Sequence, residues 1–245
     1  MSDADFLILA ILVLAAVLPS VIFLSWFRST GYGKKESWMH LIVLFIYGAI
    51  IAIIVAIIIE VVAISLLLNP ISREYEIFTK YPSLPSLILV VLIAPISEEF
   101  AKMLGIMRFS KKIERMRSGL VFGSAVGLGF AATENLLYES IALFEGGIVT
   151  FLIVALMRSY SSALLHACAS SIAGYGIARR SFNKSSVMPF YLLAVSAHGS
   201  FNLFSSLGGL FEDKNSSILA NVLGLIFCFI LVIIMTKVIR SRIRS

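Results

Sequence analysis

Charge is scarce in this chain. Asp, Glu, Lys and Arg make up only 14% of its 245 residues against 59% hydrophobic residues, a balance outside the range of soluble globular domains. Cysteine is scarcer still. Cys168 and Cys228 both lie in apolar runs without a CxxC partner, which excludes a disulfide framework and a cysteine-rich zinc module and leaves them as packing residues. No Asp lies in the interior of a long apolar run, so an aspartic dyad within a membrane is excluded. Neither GxSxG nor HExxH occurs, which removes the short motifs of a serine hydrolase and a zinc peptidase. Repeats and low-complexity segments are absent too. No soluble domain fits between the apolar runs, so residues 1–245 read as one polytopic membrane domain.

What the chain has is apolar length. A spanning helix needs about 20 apolar residues. Seven stretches qualify, at about 5–27, 39–68, 85–107, 119–141, 148–178, 187–210 and 218–236. The fold class predicted is an all-α integral membrane bundle of about seven helices. The second and fifth stretches exceed one hydrocarbon thickness and call for tilt or projection, which puts Glu60 at the interface.

The formal net charge of +6 reports orientation and not a nucleic-acid partner. Basic residues gather in alternate loops: Arg28, Lys34 and Lys35; Arg108, Lys111, Lys112, Arg115 and Arg117; Arg179, Arg180 and Lys184; then Lys237, Arg240, Arg242 and Arg244. The opposite loops carry Arg73, Lys80 and Lys214 among Glu74, Glu76, Glu139, Glu145, Glu212 and Asp213. An N-terminus outside and a C-terminus in the cytoplasm of a multi-pass cell-membrane protein follow. The first span follows the acidic Ser2-Asp3-Ala4-Asp5 and is too long for a signal-peptide core, so it is expected to stay uncleaved.

Ionisable residues inside a bilayer cost at least about 2.5–3.5 kcal/mol each and normally face the bundle interior. Here they segregate. The third stretch carries Glu98, Glu99 and Lys102, the fourth Glu134 and Asn135, the fifth Arg158 and His166, and the sixth His198 and Asn202. A polar site buried among helices three to six is predicted. At about 1.5 Å rise per residue, Glu98 lies roughly 13 Å from the basic face, His198 roughly 16, His166 roughly 18, and Glu134 and Asn202 roughly 22 Å. Arg158, at roughly 30 Å, falls outside that layer. Helical spacing puts Glu98 with Lys102, and His198 with Asn202, on shared faces, while Glu99 points about 100° away from Glu98. The Gly119-Gly123-Gly127 spacing reads as close helix packing.

Peptide hydrolysis needs an activated water, donors for the oxyanion and a proton for the leaving amine. Glu98 or Glu99 suits the general base, and His198 with Asn202 the oxyanion. His166, His198 and a glutamate, Glu98 first, also make a zinc set with an open position. The lack of a short metal motif tips the balance towards the metal-free glutamate mechanism. Lys102, Asn135 and Arg158 take supporting roles. A proton- or ion-coupled transporter, whose relays use the same residue types, is the first rival reading, and a non-catalytic receptor or scaffold the second.

Glu98-Glu99-Phe100-Ala101-Lys102 resembles the EExxK motif of the PrsW family of intramembrane proteases, related to the CAAX prenyl endopeptidases and the bacteriocin-processing proteins. The likeness continues through Gly129-Phe130-Ala131-Ala132-Thr133-Glu134-Asn135, the Arg158 to Gly176 segment with His166, and the HxxxN form of His198 to Asn202. The wider superfamily patterns are EExxxR and FxxxH. Lys102 stands one place early for that Arg and Glu134 replaces that His, which argues against prenylated substrates. The resemblance implies that Glu98 activates water beside Glu99, that His198 and Asn202 bind the oxyanion, and that Glu134 and His166 complete the cluster. It implies both glutamate-type and metallo-type chemistry, and a membrane-protein substrate such as an anti-sigma-factor-type regulator cut in the manner of a site-one protease.

Overall fold

The computed structural model describes residues 3–244; Met1, Ser2 and Ser245, which the one-domain reading includes, lie outside the described residues. Among these the chain is helical throughout, without a strand. Helix α1 is Asp3–Thr30, α2 Trp38–Ile46, α3 Ile53–Ala63, α4 Asn69–Glu74, α5 Glu76–Lys80 and α6 Leu84–Ile88. They are followed by α7 Ala94–Arg108, α8 Met116–Tyr160, α9 Ser162–Asn183, α10 Met188–Ser205 and α11 Lys214–Arg244. Among the described residues, four helical segments are long and apolar enough to cross a membrane: Phe6–Thr30, Trp38–Glu74, Met116–Asn183 and Lys214–Arg244.

Helices α2 and α3 run on through a π-helical turn at Tyr47–Ala52, and α6 passes into α7 through another at Leu89–Ile93. A π turn leaves carbonyls without their usual helical partner, and neighbouring helices supply donors here. Thr133 Oγ1 donates to the Ala49 carbonyl at 2.7 Å and Asn202 Nδ2 to that of Val90 at 2.9 Å. The fifth predicted stretch proves to be two helical pieces. Gly147, at φ 76° and ψ −176°, breaks α8, and Ser161, at φ −112° and ψ −71°, separates Tyr160 from Ser162. The i→i−4 bonds persist on both sides of it, Ser161 N–H to the Met157 carbonyl at 3.0 Å and Leu165 N–H to the Ser161 carbonyl at 2.9 Å, so the interruption is a local change of direction that an apolar-run count does not register.

Helix α8 is the centre of the bundle, buried without a gap from Ser118 to Ala132. Its glycines let backbones touch. A Cβ at Gly119 would strike the Gly174 carbonyl, at Gly123 that of Ser170, and at Gly127 that of His166. Each step of four along α8 matches a step of four back along α9, so the two helices are antiparallel and in near-backbone contact. On another side, Gly129 abuts the carbonyl of Phe45. Around this pair, Leu41, Leu44, Ile106, Leu120, Phe122, Leu128 and Leu165 form the main apolar core. Gly123→Leu is therefore expected to destabilise by about 1–3 kcal/mol or more, because the obstacle is backbone. Thermal unfolding in detergent checks it, with Gly209→Ala, in open space, as the neutral control.

On the basic face, Arg115 Nη2 donates to the Lys34 carbonyl at 2.6 Å and Ser118 Oγ to Glu36 at 3.0 Å, tying the loop after α1 to the start of α8. At the opposite end Asp213 caps α11. Its carboxylate accepts the Ser216 backbone N–H at 2.8 Å, a bond that holds Asp213 below the usual carboxylate range.

Candidate active site

Small residues bring α3 and α7 together. Ala52, Ala56, Ala101 and Phe130 form a cluster of their own, and the Tyr47 hydroxyl donates to the Ala101 carbonyl at 3.2 Å. One turn along from the Ala56–Ala101 contact, Ser97 Oγ donates to Glu60 Oε1 at 2.8 Å. The next residues, Glu98 and Glu99, are 8% and 0% exposed, and Lys102 is 0% exposed.

Lys102 is the hub. Its ammonium lies 3.2 Å from Glu98 Oε2, 2.8 Å from Glu99 Oε1, 2.8 Å from His166 Nδ1 and 4.0 Å from the centre of the Phe130 ring. An ammonium only donates, so His166 Nδ1 accepts and Nε2 carries the hydrogen given to Glu134 Oε2 at 2.7 Å. Helix α10 brings His198 edge-on to His166, with ring centroids 4.8 Å apart. His198 Nδ1 bonds to Glu99 Oε1 at 3.0 Å and Ser170 Oγ to Glu99 Oε2 at 3.4 Å. All these groups belong to or adjoin a cavity of about 780 Å³.

Glu98, Glu134, His166 and His198, assigned to one layer from sequence, are thus linked to one another and to Glu99 and Lys102 in one connected cluster. Arg158 joins them although its Cα was expected well outside the layer. Its Nη2 lies 2.9 Å from Glu134 Oε2 and 3.1 Å from Ser162 Oγ, and its Nε donates to Asn135 Oδ1 at 2.9 Å. Counting rise per residue misplaces it because the long guanidinium arm reaches about one turn ahead of its Cα, to the level of Ser162. Asn135 is buried and acts through Arg158. Asn202 lines the cavity, but one amide hydrogen is committed to the Val90 carbonyl. Glu60, expected at the interface, is half-buried on the cavity wall. A signal for it existed: it is the one charged residue of the apolar run 39–68, spaced by four from Ala52 and Ala56.

Glu98, His166 and His198 each present a ligand atom within 4.8 Å of the others. Glu98 Oε2 is 3.9 Å from His166 Nδ1 and 3.8 Å from His198 Nε2. Tetrahedral zinc with bonds of about 2.0–2.1 Å sets ligands roughly 3.3 Å apart, so the three side chains have to draw closer together to hold it. The far nitrogen of each ring is already engaged, His166 by Glu134 and His198 by Glu99. Carboxylates behind the rings are the outer shell that zinc-binding histidines have. Lys102 competes for the same His166 lone pair, and its ammonium would have to give that lone pair up to a metal. The residues fit a zinc ion on these terms.

A helical, membrane-embedded chain with acid, base and imidazole groups gathered around an internal cavity falls in the class of membrane peptidases. It belongs to the PrsW family: the family described as PrsW family intramembrane metalloprotease matches residues 36–235. The chain is 27% identical over 193 residues to Protease PrsW of Clostridioides difficile (strain 630), a match covering 75% of this chain and 73% of that protein. No solved structure matches it.

Proposed function

We propose that the chain is a zinc-dependent endopeptidase that cuts a peptide bond in or beside the membrane segment of another membrane protein, with Glu98, His166 and His198 as the metal ligands. The observation that carries this reading is the convergence of those three side chains, each imidazole backed by a carboxylate. Charge supports it as well. Glu60, Glu98, Glu99 and Glu134 face Lys102 and Arg158, so with ionised carboxylates and neutral imidazoles two negative charges are left over, a surplus that a bound cation offsets and that protonation offsets where none is bound. The lack of a short motif favoured a metal-free mechanism; the backed histidines, contributed by separate helices, weigh the other way.

Zinc held there supplies a Lewis acid and lowers the pKa of a bound water towards neutrality. The chain's own groups do the rest. Glu99 and Glu134 orient the rings, and Lys102 offsets the charge of Glu98 and Glu99. Arg158 and the second amide hydrogen of Asn202 are donors on the cavity wall for a carbonyl oxygen gaining negative charge. Ile53, Ile57, Leu89 and Leu225 give that wall an apolar side suited to a membrane segment.

The topology belongs to this proposal. With Gly147 as a reversal, α8 and α9 supply two crossings; α1, the α2–α4 run, the α6–α7 run, α10 and α11 bring the total to seven, in one domain. The basic loops put the C-terminus in the cytoplasm and the N-terminus outside. An anti-sigma-factor-type regulator is the substrate class, and kinship with the CAAX endopeptidases and bacteriocin-processing proteins is part of the same reading. The interruption at Ser161 is a feature coupled transporters share, while family membership weighs for the peptidase.

The test is metal content and cleavage together. Purified protein in lipid nanodiscs is expected to hold one zinc per chain and to cleave a single-pass membrane substrate; a chelator stops cleavage and zinc restores it. His166→Ala is expected to lose both zinc and activity. Undiminished cleavage by zinc-free protein would return the mechanism to glutamate alone.

A further inference from the structure

The peptidase reading leaves one part unassigned. If Glu98 binds metal, and Glu99 and Glu134 hold the imidazoles and the cations, none of them is free to take a proton from water. Glu60 is. Among the described residues it lies on the cavity wall with no Lys, Arg or His within ion-pair distance, and Ser97 is the one side chain bonded to it. That bond uses a single oxygen, Oε1, and leaves Oε2 available.

The position is built. Ala52 and Ala56 pack against Ala101 and Phe130, and the next step of four along α3 is Glu60, opposite Ser97 on antiparallel α7. The carboxylate therefore stands beside the residue that precedes Glu98, and lines the same cavity as Glu98, His166 and Glu134. No packing need explains an acid there: the remaining positions of 39–68 are uncharged, and a carboxylate within an apolar span is costly even half-buried.

We propose that Glu60 is the general base and proton carrier of this peptidase. The water oxygen adds to the scissile carbonyl carbon while one of its protons passes to Glu60. When the C–N bond breaks, the leaving nitrogen takes that proton and Glu60 is a carboxylate again; the other water proton stays with the new carboxyl group. Base and acid are then the same residue, carried on α3 and held by Ser97 of α7.

The proposal rests on the peptidase reading and is tested with full-length protein in nanodiscs through three readouts: bound zinc, substrate affinity and single-turnover cleavage. Glu60→Gln is expected to keep its zinc and its substrate affinity, each within about twofold of wild type, and to lose about 10²–10⁴-fold in cleavage rate. Glu60→Asp recovers part of that loss, and Ser97→Ala, which removes only the hydroxyl holding Oε1, loses less than tenfold. Cleavage by Glu60→Gln within tenfold of wild type would overturn the proposal. So would loss of zinc in that variant, or an equal loss in Ser97→Ala, since either makes Glu60 a structural partner. Wild-type protein that cleaves nothing would instead fell the peptidase reading, and this proposal with it.

Discussion

Glu98→Gln is expected to lower cleavage by about 10³-fold or more while leaving the helical fold in place. Two roles disappear with that charge. The amide is a poor metal ligand, and Lys102 loses the partner at 3.2 Å while keeping Glu99 at 2.8 Å. Because the remaining ion pair still neutralises the buried ammonium, unfolding in detergent should shift only modestly. The informative comparison is zinc content. Under the proposed function, Glu98→Gln loses zinc and activity in parallel, whereas a metal-free mechanism predicts lost activity with no change in metal. Cleavage above a tenth of the wild-type rate would remove Glu98 from the chemistry altogether.

Lys102→Met should act chiefly on stability. The ammonium is fully buried and contacts two carboxylates, an imidazole and an aromatic face. Removing one partner of a buried ionic group leaves uncompensated charge, at a cost of about 3–5 kcal/mol. A marked fall in thermal midpoint in zinc-free nanodiscs is the expected result. Adding Glu99→Gln should recover much of the loss, because the second change removes charge that the first left unpaired; a double-mutant cycle gives the coupling directly. An additive pair, with no recovery, would show that Lys102 and Glu99 do not depend on one another. Zinc should raise the midpoint of Lys102→Met more than that of wild type, since the His166 lone pair is then uncontested.

Much of this was legible one-dimensionally. The third to sixth apolar stretches carried the ionisable residues, and rise per residue put Glu98, Glu134, His166 and His198 within one layer, where the structure has them in contact. Such arithmetic works for short side chains on straight helices. It failed for Arg158, whose guanidinium reaches Glu134, and for the break at Ser161, because one residue's departure from helical φ/ψ leaves no trace in hydropathy. Nor could it show what Glu60 meets, since the facing Ser97 belongs to a separate apolar stretch.

The sequence by itself determined that this chain lives in lipid, is helical, and carries its costly charges on four of its apolar stretches, because insertion energy and helical periodicity act along the chain. It also sufficed to place the chain in its family, through motifs in order. Tertiary structure decided which partner each histidine nitrogen meets, that Lys102 and not a carboxylate is the centre of the cluster, that Asn202 serves the Val90 carbonyl, and that Glu60 faces the cavity. These are matters of approach between residues distant in sequence. They depend on how closely Gly119, Gly123 and Gly127 let α8 and α9 come together, and on how Ala52 and Ala56 seat α3 against α7.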